Sequence, residues 1–141
     1  MLMGEYNYTI DSKGRLNFPA KFREEMGPSF VVTRWLDHCL VAFSMQEFEK
    51  MADSLAQRSM AKSRDLQRFL FSAAEEVKPD KQGRILLPAV LRRHAGLEKE
   101  VTIIGSRNRA EIWATDAWNA YNQETLENSE DLAAAMEELD L

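Results

Sequence analysis

Asp11-Ser-Lys-Gly-Arg-Leu-Asn-Phe-Pro-Ala-Lys-Phe-Arg23 recurs further along the chain as Asp80-Lys-Gln-Gly-Arg-Ile-Leu-Leu-Pro-Ala-Val-Leu-Arg92. The two stretches align without a gap at an offset of 69, with Asp, Gly, Arg, Pro, Ala and the final Arg identical. Gly27 and Gly96 keep that offset, and Phe43 and Phe48 match Trp113 and Trp118 after one extra residue in the second copy. Self-similarity over so many conformationally special residues means that one structural unit occurs twice, and every later motif has to be read in duplicate.

Each copy reads locally as strand, turn, strand, short helix, strand, turn, strand. Tyr6 to Ile10 alternates like a strand, Asp-x-x-Gly supplies a side chain that bonds its own backbone and a residue free to take positive φ, and Leu16 to Phe18 resumes the strand. That combination predicts a hairpin. Pro19 and Pro88 suit the start of a helix and Gly27 and Gly96 its end, giving helices of about two turns. Phe30 to Thr33 with Leu40 to Phe43, and Val101 to Ile104 with Glu111 to Trp113, supply the second strand pair of each copy. Units of this size hold too little core alone, so the copies are expected to interlock as one pseudo-twofold barrel with flanking helices, an α+β fold in which a single chain mimics a homodimer.

The copies are joined by helix. Ser44 with Glu47 three residues on reads as a capping box, Phe48, Met51 and Leu55 give one apolar face, Leu66, Phe69, Leu70 and Ala73 another, and Ser59 to Ser63 the break between them. A helix over Thr115 to Leu126 and an acidic amphipathic segment, Ser129 to Leu141, follow the second copy. Leu132, Met136 and Leu139 share one face of that segment, which either docks on a neighbour or stays mobile. The division expected is residues 1–58 for the first unit with its helix, 59–75 for the connecting helix, 76–128 for the second unit with its helix, and 129–141 for the tail.

A net charge of -5 argues at first against a nucleic-acid partner. The average conceals a segregation. From Asp116 to the end there are eight acidic residues and no Lys or Arg, so the rest carries eighteen basic residues against fifteen acidic ones. Between Arg58 and Arg93, nine Lys or Arg face four acids, which is either a solvated helical surface or a phosphate-binding one. No apolar run approaches the roughly 18 residues of a membrane span, and the single Cys39 forms no internal disulfide. These features, with no signal peptide in evidence, point to a soluble cytoplasmic protein without cofactor or metal.

Each turn carries charge at its tip: Asp11, Lys13 and Arg15 in one copy, Asp80, Lys81 and Arg84 in the other, with Gly14 and Gly83 allowing the bend. A carboxylate four residues before an arginine either orients the guanidinium for recognition, where its planar fork suits a phosphate or a guanine edge, or merely stabilises the turn. The tips are not identical, since Lys13 aligns with Gln82 and Ser12 with Lys81.

At these residues the chain resembles the MraZ family over nearly its whole length. The resemblance rests on Met1 to Asp11, both Asp-x-x-Gly-Arg turns, Arg64-Asp-Leu-Gln-Arg-Phe-Leu-Phe-Ser-Ala-Ala-Glu75, and Val101-Thr-Ile-Ile-Gly105 followed by Glu111-Ile-Trp113. It implies two tandem AbrB-like swapped-hairpin units and a DNA-binding transcriptional regulator of the division and cell-wall gene cluster, its own promoter included. It further implies recognition of direct repeats in double-stranded DNA, association with the nucleoid, and a homo-oligomeric ring. Arg15 and Arg84, with Lys13 and Lys81 beside them, are the DNA-contact candidates, and Asp11, Gly14, Asp80 and Gly83 orient them. A different class of function, an antitoxin-like interaction module engaging a partner through the acidic tail, would normally carry one copy and a longer tail.

Enzymatic readings are thinly supplied. His38-Cys39 as a thiol dyad requires strand neighbours to face the same way, and they alternate. His94 sits beside Arg92 and Arg93 and is expected on a solvated face or against a phosphate. Asp11 and Asp80 as a catalytic carboxylate pair are explained more simply by their turns, and Trp35, Trp113 and Trp118 read as core aromatics rather than base-stacking platforms.

Overall fold

The computed structural model describes residues 1–141. The first half runs β1 (Glu5–Thr9), β2 (Arg15–Asn17), α1 (Ala20–Met26), β3 (Phe30–Arg34), β4 (Leu40–Ser44), α2 (Met45–Ala56) and α3 (Met60–Phe71). The second repeats the pattern as β5 (Glu75–Val77), β6 (Arg84–Leu86), α4 (Ala89–Ala95), β7 (Glu100–Gly105), β8 (Ala110–Ala114) and α5 (Thr115–Glu127), and ends in α6 (Ser129–Glu138). The fold is α+β, and α1 and α4 begin after Pro19 and Pro88 and stop at Gly27 and Gly96, as the turn chemistry requires.

Six antiparallel strands form one sheet in the order β1-β7-β8-β4-β3-β5, and β2 pairs with β6 in a separate two-stranded ribbon. Exchanging each strand for its repeat equivalent returns the same order read backwards, which is a pseudo-twofold relation between the copies. The relation holds at residue level. Leu16 faces Ile85 at the centre of the ribbon, and Val41 faces Glu111 where β4 meets β8.

The local hairpin expected at each Asp-x-x-Gly turn is corrected by these ladders. β1 pairs with β7 and β2 with β6, so the strands on either side of the first turn both ladder with the second copy. The turn itself closes, with Asp11 N–H donating to Arg15 O and Asp80 N–H to Arg84 O, but the flanking strands part. A lone two-stranded hairpin is marginal in water, and pairing across copies lets Leu16 and Ile85 be buried on one face. The β3–β4 and β7–β8 hairpins form within their own copies as read. The six-stranded sheet is not closed into a barrel by its ladders: β1 and β5 are its edges.

One core serves both copies. Leu16, Phe18, Phe22 and Phe30 from the first are joined by Ile85, Leu87, Leu91 and Val101 from the second. Phe18 packs on Phe30 with ring centroids 4.7 Å apart, and on Phe22 at 6.0 Å. Each such side chain contributes about 1.5–3 kcal/mol on leaving water, so the repeat equivalents hold one another in place rather than two separate cores.

The linker helices differ in detail from the sequence reading. Ser44 Oγ accepts from Glu47 N–H at 3.2 Å, while the Glu47 carboxylate turns to Lys50 and Asn108, so half a capping box forms. The break falls at 57–59, and Met60 to Ser63 are already helical. Leu66 is exposed instead of docked, because α3 packs through Ser63 and Leu70. Arg34 clamps that helix by donating from Nε to Phe69 O and lying over the Phe69 ring. Every residue of α6 is exposed, including Leu132 and Met136. No helix is long and apolar enough to cross a membrane.

Candidate functional site

Each turn is built around a carboxylate that accepts three hydrogen bonds from within the turn. Asp11 Oδ1 accepts from the N–H groups of Lys13 (3.0 Å) and Arg15 (2.9 Å), and Oδ2 accepts from Arg15 Nε at 2.6 Å. Asp80 repeats the arrangement with Gln82 N–H (2.9 Å), Arg84 N–H (2.9 Å) and Arg84 Nε (3.1 Å). The Arg15 N–H does most to hold the Asp11 carboxyl below the usual carboxylate range, helped by Arg15 Nε and Lys13 N–H. Asp80 is lowered in the same way, first by the Arg84 N–H. In both turns the bond to Nε fixes the guanidinium and leaves its terminal nitrogens free to donate to a ligand.

The turns are braced across the repeat. Leu87 N–H donates to Gly14 O at 2.9 Å and Phe18 N–H to Gly83 O at 3.0 Å. Arg92 Nε donates to Leu87 O and its guanidinium lies against Gly14, where an added Cβ would meet it at 3.0–3.2 Å and Leu87 O at 2.6 Å. Arg23 does the same for the other turn, donating to Phe18 O and lying against Gly83, where a Cβ would meet the guanidinium at 2.8 Å. Gly14 and Gly83 also hold φ of 90° and 79°, which L side chains resist. Each turn is therefore held both by its own aspartate and by the other copy.

Pairing of β2 with β6 decides which way the arginines point. Leu16 and Ile85 are buried, so the alternate residues Arg15, Asn17, Arg84 and Leu86 share the opposite face of the ribbon. Arg15 stands across from Leu86 and Arg84 across from Asn17. The structure thus brings Arg15 and Arg84 onto one surface, with the exposed Lys13 and Lys81 at its two turns. Sequence reasoning missed four residues of this neighbourhood. Arg23 and Arg92 are identical in the repeat, which is the signal that could have found them. Asn17 and Leu86 follow from alternation once the partner strand is known.

The set-aside residues behave differently from one another. Cys39 is buried and donates to Leu36 O, burial pushes its thiol up, and His38 beside it is exposed, so the two form no dyad. Because the thiol is buried, alkylating Cys39 requires the chain to open first. His94 is not on a solvated face. It packs against Phe69 and its Nε2 lies 3.1 Å from Trp35 O, because the inner side of α4 has to cover the hairpin between β3 and β4. Trp113 is core, Trp118 packs on it and donates to Glu5, and Trp35 packs on Phe43.

The sequence profile of the family described as "MraZ protein, putative antitoxin-like" matches twice, over residues 1–69 and 70–140. The chain belongs to the MraZ family. Proteins named "Transcriptional regulator MraZ" from Halothermothrix orenii and Ligilactobacillus salivarius are each 48% identical to it, over 99% and 100% of both chains respectively. The protein of that name from Moorella thermoacetica is 47% identical over the full length of both. The two MraZ matches meet inside α3, so the internal repeat read from the turns is the repeat of the family.

Proposed function

We propose that this chain is a sequence-specific DNA-binding transcriptional regulator, and the observation that carries the proposal is the outer face of the β2–β6 ribbon. A two-stranded ribbon fits the major groove of B-DNA, and an arginine presented by its terminal nitrogens can donate twice to guanine O6 and N7 or to a phosphate. Arg15 and Arg84 are the proposed contacts, with Lys13 and Lys81 adding phosphate contacts at the turns. Asp11, Asp80, Gly14 and Gly83 hold them. The names of the full-length relatives support transcriptional regulation.

The finer reading is that it acts as a repressor of the division and cell-wall gene cluster, its own promoter included, within the cytoplasm and on the nucleoid, and without enzymatic activity. Its partners on this reading are direct repeats in double-stranded DNA and further copies of itself in a ring, where several weak tips linked together raise the effective affinity. Closure of the interlocked ribbon and sheet as a swapped-hairpin barrel belongs to the same reading, as does the division into two units, a connecting helix and a tail. A second reading, an antitoxin-like module, draws on the unpartnered apolar stripe of α6 and would be favoured by stoichiometric capture of a toxin.

The deciding experiment is titration of the full chain against a labelled duplex from upstream of its own gene and against unrelated duplex, across a salt series. Preference for the first duplex is expected. The Arg15→Ala, Arg84→Ala double variant should lose that preference and show a shallower salt dependence while staying folded. Unchanged affinity and slope in the double variant would overturn the proposed contact surface.

A further inference from the structure

Between the two arginines the ribbon's outer face carries two side chains that the pseudo-twofold makes equivalent in place but not in chemistry. Asn17 and Leu86 occupy the same position in their copies, are both exposed, and stand opposite Arg84 and Arg15 respectively. Leu86 is 59% exposed on a strand whose inner residue Ile85 is fully buried. Leu86 is thus a largely exposed leucine on an end rung of the ribbon, beside Arg15 and outside the core. Each turn acid is engaged in holding its own arginine, accepting from the backbone N–H and the Nε of Arg15 or Arg84.

We infer that Asn17 and Leu86 are base-reading residues that give the two ends of the ribbon different specificities, an inference that rests on the DNA-binding reading above. An asparagine amide both donates and accepts, which matches adenine N6 and N7, whereas a leucine matches only the apolar C5-methyl of thymine. The Arg84 end therefore reads a guanine accompanied by adenine, and the Arg15 end a guanine accompanied by thymine. The two rungs lie two residues apart along each strand, about 7 Å, which is about two base-pair steps of B-DNA. A single ribbon laid in one major groove can thus address neighbouring base pairs with all four side chains. Neither Asn17 nor Leu86 carries charge, so their contribution is to choice of sequence and not to attraction for the backbone.

The test uses the full chain, the duplex from upstream of its own gene, and a set of duplexes in which each base pair of the bound region is changed singly. Asn17→Ala is expected to erase discrimination of about tenfold at one base pair, and Leu86→Ala a smaller discrimination at a different one. The Asn17→Leu, Leu86→Asn double variant should exchange the preferred bases. In all three the slope of affinity against salt should remain that of the unaltered chain. Both positions are exposed, so melting temperatures should not move. If the variants weaken every duplex by the same factor, or none, the inference is wrong while the DNA-binding reading stands. If the unaltered chain shows no preference for its upstream duplex, the underlying reading falls and takes this inference with it.

Discussion

The two copies share a backbone plan but differ in what surrounds each turn. The first turn is braced by Arg92 on α4, whose other basic residues are Arg93 and His94, with no acid in the helix. The second is braced by Arg23 on α1, where Glu24 and Glu25 follow and Glu25 pairs with the N-terminal amino group of Met1. Core composition differs too, since Phe18, Phe22 and Phe30 stand where the second copy has Leu87, Leu91 and Val101. Positions that set backbone geometry stay alike, because a turn or a helix start admits few residues. Positions that fill volume or face solvent are free to diverge as long as each copy complements the other. The duplication thus supplies a symmetric frame bearing asymmetric chemistry.

The largest test of that comparison concerns the shared core. Leu16 and Ile85 face one another on the pseudo-twofold and both are essentially inaccessible to solvent. Leu16→Ala and Ile85→Ala are each expected to cost about 2–4 kcal/mol and to lower the midpoint of one cooperative denaturant transition. Separate transitions for the two halves would break the claim that the copies interlock.

A smaller and asymmetric effect is expected at the turn glycines. At Gly14 an added Cβ meets the Leu87 carbonyl, which is backbone and cannot withdraw, whereas at Gly83 it meets the flexible end of Arg23. With the positive φ penalty common to both, Gly14→Ala should cost roughly 2 kcal/mol and Gly83→Ala roughly half that by chemical denaturation. Equal losses would show that the two braces are equally yielding.

The smallest effect lies in the carboxylates, where the copies should agree. Because the native pKa of Asp11 and of Asp80 lies below the ordinary value of 3.8, each stabilises the fold at pH above that value. The contribution disappears as pH falls through the lower native pKa, so it is lost in strongly acid solution and not near neutrality. Carboxyl-resolved NMR titration should place both midpoints below 3.8, and Asp11→Asn or Asp80→Asn should flatten the acid limb of the stability curve. A normal midpoint at one turn alone would sharpen the comparison by showing that its network is loose in solution.

Legibility in the sequence followed the range of the interactions involved. Helix limits at Pro19, Gly27, Pro88 and Gly96, the two Asp-anchored turns and the β3–β4 and β7–β8 hairpins were readable because their causes lie within a few residues of one another. The same local logic misassigned the partners of β1 and β2, since a turn signal says that the chain reverses but not which strand it will ladder with. Leu66 and His94 went astray for a related reason: a helix face is defined by what packs on it, and here Ser63 and Leu70, and the Trp35 carbonyl, made the selection.

By itself, then, the sequence determined that one unit occurs twice, that each carries an arginine held by a carboxylate at a tight turn, and that acidic charge is segregated toward the end of the chain. Only the tertiary structure decided that β2 and β6 pair with each other. That pairing turns Arg15 and Arg84 to one face with Asn17 and Leu86, and it brings Arg23 and Arg92 under the opposite copy's turn. The physical reason is that a three-residue strand has too little local preference to choose a neighbour, so its partner is selected by the burial of Leu16 against Ile85, residues far apart in the chain and adjacent only in the core.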